Sequence, residues 1–402
     1  MADNKDKKVL NVPPLRFPEF VGEWKVEQLD SIATLSKGVG ISKEQLSEEG
    51  EPCILYGELY TKYKSEIIKQ IESKTDIDCS KLKRSKANDV IIPCSGETAV
   101  DIATARCVPF DNILLGGDLN IISLHQYDGA FMSYQLNGKR KFDIAKVAQG
   151  VSVVHLYGEH LKTIKTYNPS LQEQCKIAKL LSLLDERIAT QNKIIEKLQS
   201  LIKGLSQQLL SSENDWILYR LDDLAQIKSG YSGTQVSYQT PYKVSRIETI
   251  SKHCIDIQRI GYVECIPESY RLNVGNILFS NINSIQYIGN TAYLDKDYGL
   301  YHGMNLLRII PNTTIVRPRF LHLLLCTDWA INHFQTICNK AVSQASINQT
   351  ALGKSRFPIP PMSVQQQICS MFELTERKLD NEQEYISCLQ QQKRYLLQKM
   401  FI

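Results

Sequence analysis

The chain repeats itself at a period close to half its length, and that repeat limits its possible architectures more than any other feature. Around Trp24 it reads WKVEQLDSIATLSKG, and around Trp216 it reads WILYRLDDLAQIKSG. Trp24/Trp216, Leu29/Leu221, Asp30/Asp222, Ala33/Ala225 and Gly38/Gly230 coincide at a shift of 192. A second block, LKTIKTYNPSLQEQCKI (161–177), aligns with LGKSRFPIPPMSVQQQI (352–368) at a shift of 191. There Leu161/Leu352, Pro169/Pro360, Gln174/Gln365 and Ile177/Ile368 coincide, followed by Ile195/Ile386, Leu198/Leu389, Leu205/Leu396 and Gln207/Gln398. Two distant blocks at nearly one shift argue against chance. The stretches between them align poorly. The chain is therefore two copies of one unit, with shared frames and divergent interiors.

Each copy has two parts. The first mixes short apolar runs with turn residues, as in DVIIPCSG (89–96), DNILLGGDLNIISLH (111–125), GNILFSNINS (275–284) and GMNLLRIIP (303–311). Runs of four to six apolar residues bounded by Gly, Asn, Asp and Pro read as strands. LHLLLCTDWAINHFQTI (321–337) reads as helix, so the globules are α+β. The second part is a long helix. Residues 170–210 contain no proline and one glycine, and residues 362–401 contain neither. Ser170-x-x-Glu173 and Ser363-x-x-Gln366 have the spacing of capping boxes. About forty residues at 1.5 Å each make a rod of about 60 Å.

The first rod carries an apolar seam in alternating steps of four and three: Ile177, Leu181, Leu184, Ile188, Gln191, Ile195, Leu198, Ile202, Leu205 and Leu209. That is the coiled-coil period. The second repeats it more roughly: Ile368, Phe372, Thr375, Leu379, Glu382, Ile386, Leu389, Lys393, Leu396 and Met400. Gln191 and Glu382 are polar at equivalent mid-rod positions. Antiparallel rods would bring these two together in one polar layer, which fixes register at a cost in stability. The expected fold is α+β, with two pseudo-symmetric globules separated by two long antiparallel coiled-coil helices. Its expected segments are residues 1–168, 169–212, 213–360 and 361–402.

Chemistry-bearing motifs are missing. The chain has no GxxxxGK[ST], GxGxxG, HExxH or GxSxG, and no Asn/Asp-Pro-Pro-aromatic motif. Its seven histidines form no ligand spacing, and its eleven cysteines are scattered without a CxxC, so no metal site or disulfide framework is expected. No residue is assigned to catalysis. The start, MADNKDKKVLNVPP, lacks an apolar core, so no secretory signal is expected. No apolar run approaches the ~18 residues of a membrane span. The expected setting is a reducing cytoplasm with free thiols. A net charge of +4 permits nucleic-acid binding without demanding it.

PPLRFPEFVGEWKVEQLDSIATLSKG (13–38) resembles the start of Type I restriction–modification specificity subunits. So do YNPSLQEQCKI (167–177) and IPIPPMSVQQQI near 357–368, each leading into a long helix. The resemblance covers the whole two-copy layout. The first copy departs from it, with Asn168-Pro169-Ser170 where a double proline is usual, and Lys393 interrupts the second seam. The resemblance implies a non-catalytic reader of double-stranded DNA whose globules are target-recognition domains, each gripping one half of a split, asymmetric target. It further implies two N6-adenine methyltransferase subunits docked on the rods, and a restriction/translocase subunit. S-adenosylmethionine, ATP and Mg2+ would belong to those partners, with no cofactor in this chain. Two readers on a rigid arm bind bivalently, and half-sites on one face of B-DNA lie about 34 Å apart.

DNA contact needs Lys and Arg for phosphates and polar side chains for base edges. In the first globule, YGELYTKYK (56–64) interleaves aromatic and basic residues, giving Tyr60, Lys62, Tyr63 and Lys64 as candidates. KLKRSK (81–86) adds Lys81, Lys83, Arg84 and Lys86, and GKRK (138–141) adds Lys139, Arg140 and Lys141. In the second globule, TPYKVSRIE (240–248) offers Lys243 and Arg246. SNINSIQY (280–287) offers Asn281, Asn283, Gln286 and Tyr287, and SQASINQT (343–350) offers Gln344, Ser346 and Asn348. The stretch corresponding to the last in the first copy is QGVSVVHL (149–156). A reading of another class is a coiled-coil adaptor whose two globules bind protein or glycan. Steep loss of binding with salt would separate DNA from that alternative.

Overall fold

The computed structural model describes residues 10–150, 153–211, 216–251, 253–340 and 344–402. The chain forms two compact units. One runs to Lys193 and adds Glu384–Ile402; the other is Ile194–Gln383. Compaction therefore divides each rod between units. The last strand of the first globule is Lys165–Asn168, and the first rod is Leu171–Leu209. The last strand of the second globule is Arg356–Ile359, and the second rod is Met362–Lys399.

Each unit is built on a four-stranded antiparallel sheet. In the first, the strand order is Ala33–Lys37, Leu119–Leu124, Asp89–Pro93, Arg106–Val108. In the second it is Ala225–Ser229, Leu306–Pro311, Ile277–Ser280, Thr291–Tyr293. The order is the same, although the sequences between the repeated blocks barely align. Asp89–Pro93 and Ile277–Ser280 are buried at every position. Burial on both faces is why these strands read as continuous apolar runs rather than alternating ones.

The two blocks that repeat in sequence are hydrogen-bonded to each other. Lys25–Gln28 pairs antiparallel with Lys165–Asn168, and Ile217–Arg220 pairs the same way with Arg356–Ile359. The matched glutamines do one job twice. Gln174 accepts the Asp128 backbone N–H at 2.9 Å and donates to the Pro169 carbonyl at 2.9 Å. Gln365 accepts the Arg317 N–H at 2.7 Å and donates to the Pro360 carbonyl at 2.9 Å. Asp128 and Arg317 are the N-caps of helices Gly129–Asn137 and Pro318–Leu325. Each glutamine thus ties the rod's start to a globule helix. Both are buried, so both must be satisfied by hydrogen bonds. The matched glycines mark close backbone approach: a Cβ on Gly38 would overlap the Gly116 carbonyl oxygen, and one on Gly230 that of Gly303.

Every seam position of both rods is buried or half-buried. Burial therefore follows the heptad period. In the first unit, Ile177 and Leu181 share a core with Met400 and Phe401, while Asp185 meets Lys393 and Arg187 lies over the Tyr385 ring. Rising numbers on one rod meet falling numbers on the other, so the rods run antiparallel. The capping boxes differ from expectation. Ser170 Oγ accepts the Glu173 N–H at 3.4 Å, but the Glu173 carboxylate turns to Arg16, which donates to it through Nε and Nη2 at 2.7 Å each. The second rod starts at Met362, two residues before the Val364 that a Ser363 cap implies, and Gln366 bonds Ser370 rather than reaching back.

Candidate nucleic-acid interface

In the second unit the structure joins two of the polar stretches. Ile282–Asn283 pairs antiparallel with Ala345–Ser346, which also pairs with Asn339–Lys340. Asn281 secures this small sheet: its carbonyl accepts the Ile347 N–H at 2.8 Å, and its Nδ2 donates to the Ile347 carbonyl at 3.3 Å. Asn283 donates to Ser280 Oγ at 3.1 Å and accepts the Ser284 N–H at 2.8 Å. Asn348 is the N-cap of Gln349–Gly353, its Oδ1 accepting the Ala351 N–H at 2.7 Å. Gln286, Tyr287 and Gln344 are exposed and Ser346 half-buried. Lys243 and Arg246 are exposed on a different strand and turn, with Arg246 3.4 Å from Glu248.

The first unit holds the same element. Ser95–Gly96 pairs antiparallel with Val154–His155, and the Leu156 N–H bonds the Cys94 carbonyl at 2.8 Å. His155 occupies the register position that Ser346 occupies in the second unit, and the two are 191 apart in sequence. His155 and Tyr157 are exposed, their rings stacked at 6.2 Å between centroids. A cleft of about 710 Å³ opens beside this sheet, lined by Tyr56, Tyr60, Ser95, Glu97, Asp101 and Val153 among others.

The basic and aromatic candidates divide by environment. Tyr60 donates its hydroxyl to the Ser95 carbonyl at 3.1 Å, and burial holds its pKa well above the usual tyrosine value. Tyr63 is buried in the core, its hydroxyl pushed up to about 12 by burial. Lys62 bonds Glu58 and Ser73 at 2.8 and 2.7 Å, and Lys64 bonds the Tyr60 carbonyl at 3.0 Å. Arg84 grips Glu51 with both nitrogens, at 2.5 and 2.9 Å. Arg140 pairs with Asp143 at 2.9 Å, donates to the Ile402 carbonyl at 3.1 Å and stacks on Tyr167. Burial, with Arg106 nearby, holds the Lys141 ammonium below its usual value. Lys83 is half-buried, whereas Lys81, Lys86 and Lys139 are exposed. On the rods, Gln191 is buried and Glu382 pairs with Lys378.

Residues 22–200 and 213–391 each match the family described as Type I restriction modification DNA specificity domain. The chain belongs to this family. It is 38% identical over 193 residues to the putative type I restriction enzyme MjaX specificity subunit of Methanocaldococcus jannaschii, covering 46% of this chain and 45% of that one. It is 24% identical over 399 residues to the MjaVIII specificity subunit of the same organism, covering 90% and 87%. The chain thus spans about half the length of the first of these relatives and most of the second. In fold it is similar to the S subunit of the type I restriction–modification system of M. genitalium, with TM-score 0.62, 18% identity and 97% and 99% coverage. A chain solved in work on complex assembly and conformational transition of the type I system is also similar, with TM-score 0.59, 15% identity and 96% and 99% coverage.

Each specificity domain therefore carries one copy of the small sheet. The alternation of rings and cations in YTKYK did not distinguish an exposed strip from one whose rings face inward. Ser95, His155 and Tyr157 were not among the sequence candidates for the first domain. The signal that finds them is the 191-residue shift from Ser346, carried across the poorly aligned interior.

Proposed function

We propose that the chain is the DNA-reading subunit of a type I restriction–modification complex and that its two domains read the two halves of an asymmetric, gapped DNA sequence. The observation that carries this reading is the small two-stranded element that recurs at one register position in both domains with different side chains. Gln344 and Ser346 present an amide and a hydroxyl in the second, where the Asn283 amide is held by Ser280 and Ser284; Ser95, His155 and Tyr157 present a hydroxyl, an imidazole and a phenol in the first. Such groups discriminate base edges. The exposed Lys81, Lys86, Lys139 and Lys243 supply phosphate contacts, which set affinity and register on the duplex. Tyr63, Arg84 and Arg140 act through the fold, since their polar atoms are engaged within the protein.

The two methyltransferase subunits and the restriction/translocase subunit bring S-adenosylmethionine, ATP and Mg2+; this chain contributes target choice and a docking frame. The test is a genome-wide map of N6-methyladenine in cells with and without this chain, each expressing the neighbouring methyltransferase. A two-part asymmetric motif present only with the chain is the expected result. No new motif, with the methyltransferase folded and present, would overturn the reading.

A further inference from the structure

Lys393 occupies a seam position where the heptad calls for an apolar residue. It is not a flaw in packing. Its ammonium lies 2.6 Å from Glu66 Oε2 and 2.6 Å from Asp185 Oδ1, and 5.7 Å above the Tyr134 ring. The three charged side chains are 17%, 10% and 7% exposed. Tyr134 donates to Asp185 Oδ2 at 2.6 Å, and Ser65 donates to the same oxygen at 3.3 Å. Glu66 is itself fixed, because its carbonyl accepts the Cys107 N–H at 2.8 Å and the Ser133 hydroxyl at 2.9 Å. The node thus joins three elements: the second rod through Lys393, the first rod through Asp185 and the first globule through Glu66.

The repeat shows that the node is one-sided. At the 191 shift Asp185 corresponds to Glu376, which is also paired, but to Arg319 from the globule. Lys393 corresponds to Ile202, which packs against an apolar core. A cation within the seam therefore occurs in one copy only. A lone polar residue at such a position specifies register, and breaking a buried ion pair is far more costly than replacing it whole. Sliding one rod by a heptad would set Lys393 against Ala178 or Asn192 instead of Asp185, and would part it from Glu66. That slide is about 10.5 Å, or about three base pairs at 3.4 Å each.

We propose that Lys393 is a positioning residue that locks the rods in one register and thereby sets the gap between the two DNA half-sites. The proposal rests on the DNA-reading function above. The test uses the full chain, the target defined by the methylation map, and duplexes whose gap is cognate, one or three base pairs longer or shorter, or that carry a single half-site. Wild type should favour the cognate gap about tenfold or more over the three-base-pair changes. K393M combined with D185N removes the ion pair between the rods and leaves Glu66 facing Arg106, so no charge is buried alone. It should bring that preference within about threefold while single half-site affinity is unchanged, and K393R should retain the wild-type preference. Should the double variant not fold, D185N alone, which leaves Lys393 paired with Glu66, supplies the same comparison against K393R. A folded variant that keeps the full gap preference, or a wild type that binds half-sites but has no gap preference, overturns the proposal. Loss of all specific DNA binding by wild type would instead overturn the reader function.

Discussion

The two units share a frame and close it with different chemistry. In the first, the chain's end completes the core: Phe401 is fully buried, its ring 6.4 Å from Trp24 and 5.2 Å from Phe131. In the second, the matching position is Leu210, also fully buried, whose carbonyl accepts the Trp329 indole N–H at 2.8 Å. The first unit buries an ammonium between two carboxylates. The second instead buries imidazoles: His302 is 1% exposed and bonds the Leu306 carbonyl, and His322 is 5% exposed beside Arg319. Burial depresses these two histidines to about 4 and about 3. What is common to the copies is backbone geometry. What differs is the means of satisfying buried groups, and that can drift as long as each solution is complete.

The largest expected effect tests the closure. F401A should destabilise the first unit by about 3–5 kcal/mol and leave the second unaffected, with L210A doing the converse; hydrogen exchange resolved by segment measures both. Equal losses in both units from either change would break the comparison. Next comes acid. A folded pKa below the ordinary 6.5 means that the folded state holds the histidines neutral. Their contribution is complete above pH 6.5 and is lost as pH falls from there toward about 4 for His302 and about 3 for His322, at up to ~1.4 kcal/mol per pH unit for each. The second unit should therefore open first on acidification, and H322Q should flatten that dependence. Coincident acid transitions in both units would contradict it.

Base reading should separate the domains. Q344A or S346A should relax one position in one half-site at a cost of about 1–3 kcal/mol, and H155A one position in the other half; selection from randomised duplexes shows which. K81Q or K139Q should weaken binding to every sequence alike and reduce the salt slope by about one. The smallest expected effect concerns the polar layer proposed for Gln191 and Glu382. A double-mutant cycle with Q191L and E382L should give a coupling of about 0.5–1 kcal/mol, and strict additivity would remove the layer.

Much of the frame was legible because its residues answer to local rules. Gly38 and Gly230 lie where no Cβ fits, Gln174 and Gln365 bond a carbonyl five residues back, and the rods declare themselves by period. The candidate contacts were legible only in part. Arg84 looks like a free cation in KLKRSK, yet its partner Glu51 lies 33 residues away; Arg140 holds a carbonyl 262 residues on. Tyr63 differs from Tyr60 only in which way it faces. Lys393 reads as a defect in a heptad until Glu66, 327 residues distant, is set beside it.

The sequence by itself determined the two-copy plan, the α+β character and the rods with their seams, since each depends on periodicity, punctuation or self-similarity along the chain. Only the tertiary structure decided which cations are spent inside the fold, that the chain's end belongs to the first globule's core, and that Ser95 and His155 stand where Ile282 and Ser346 stand. Those outcomes depend on which distant groups share a low-dielectric interior, where an unpaired charge or hydrogen-bonding group is too costly to leave alone, and spacing along the chain carries no record of that.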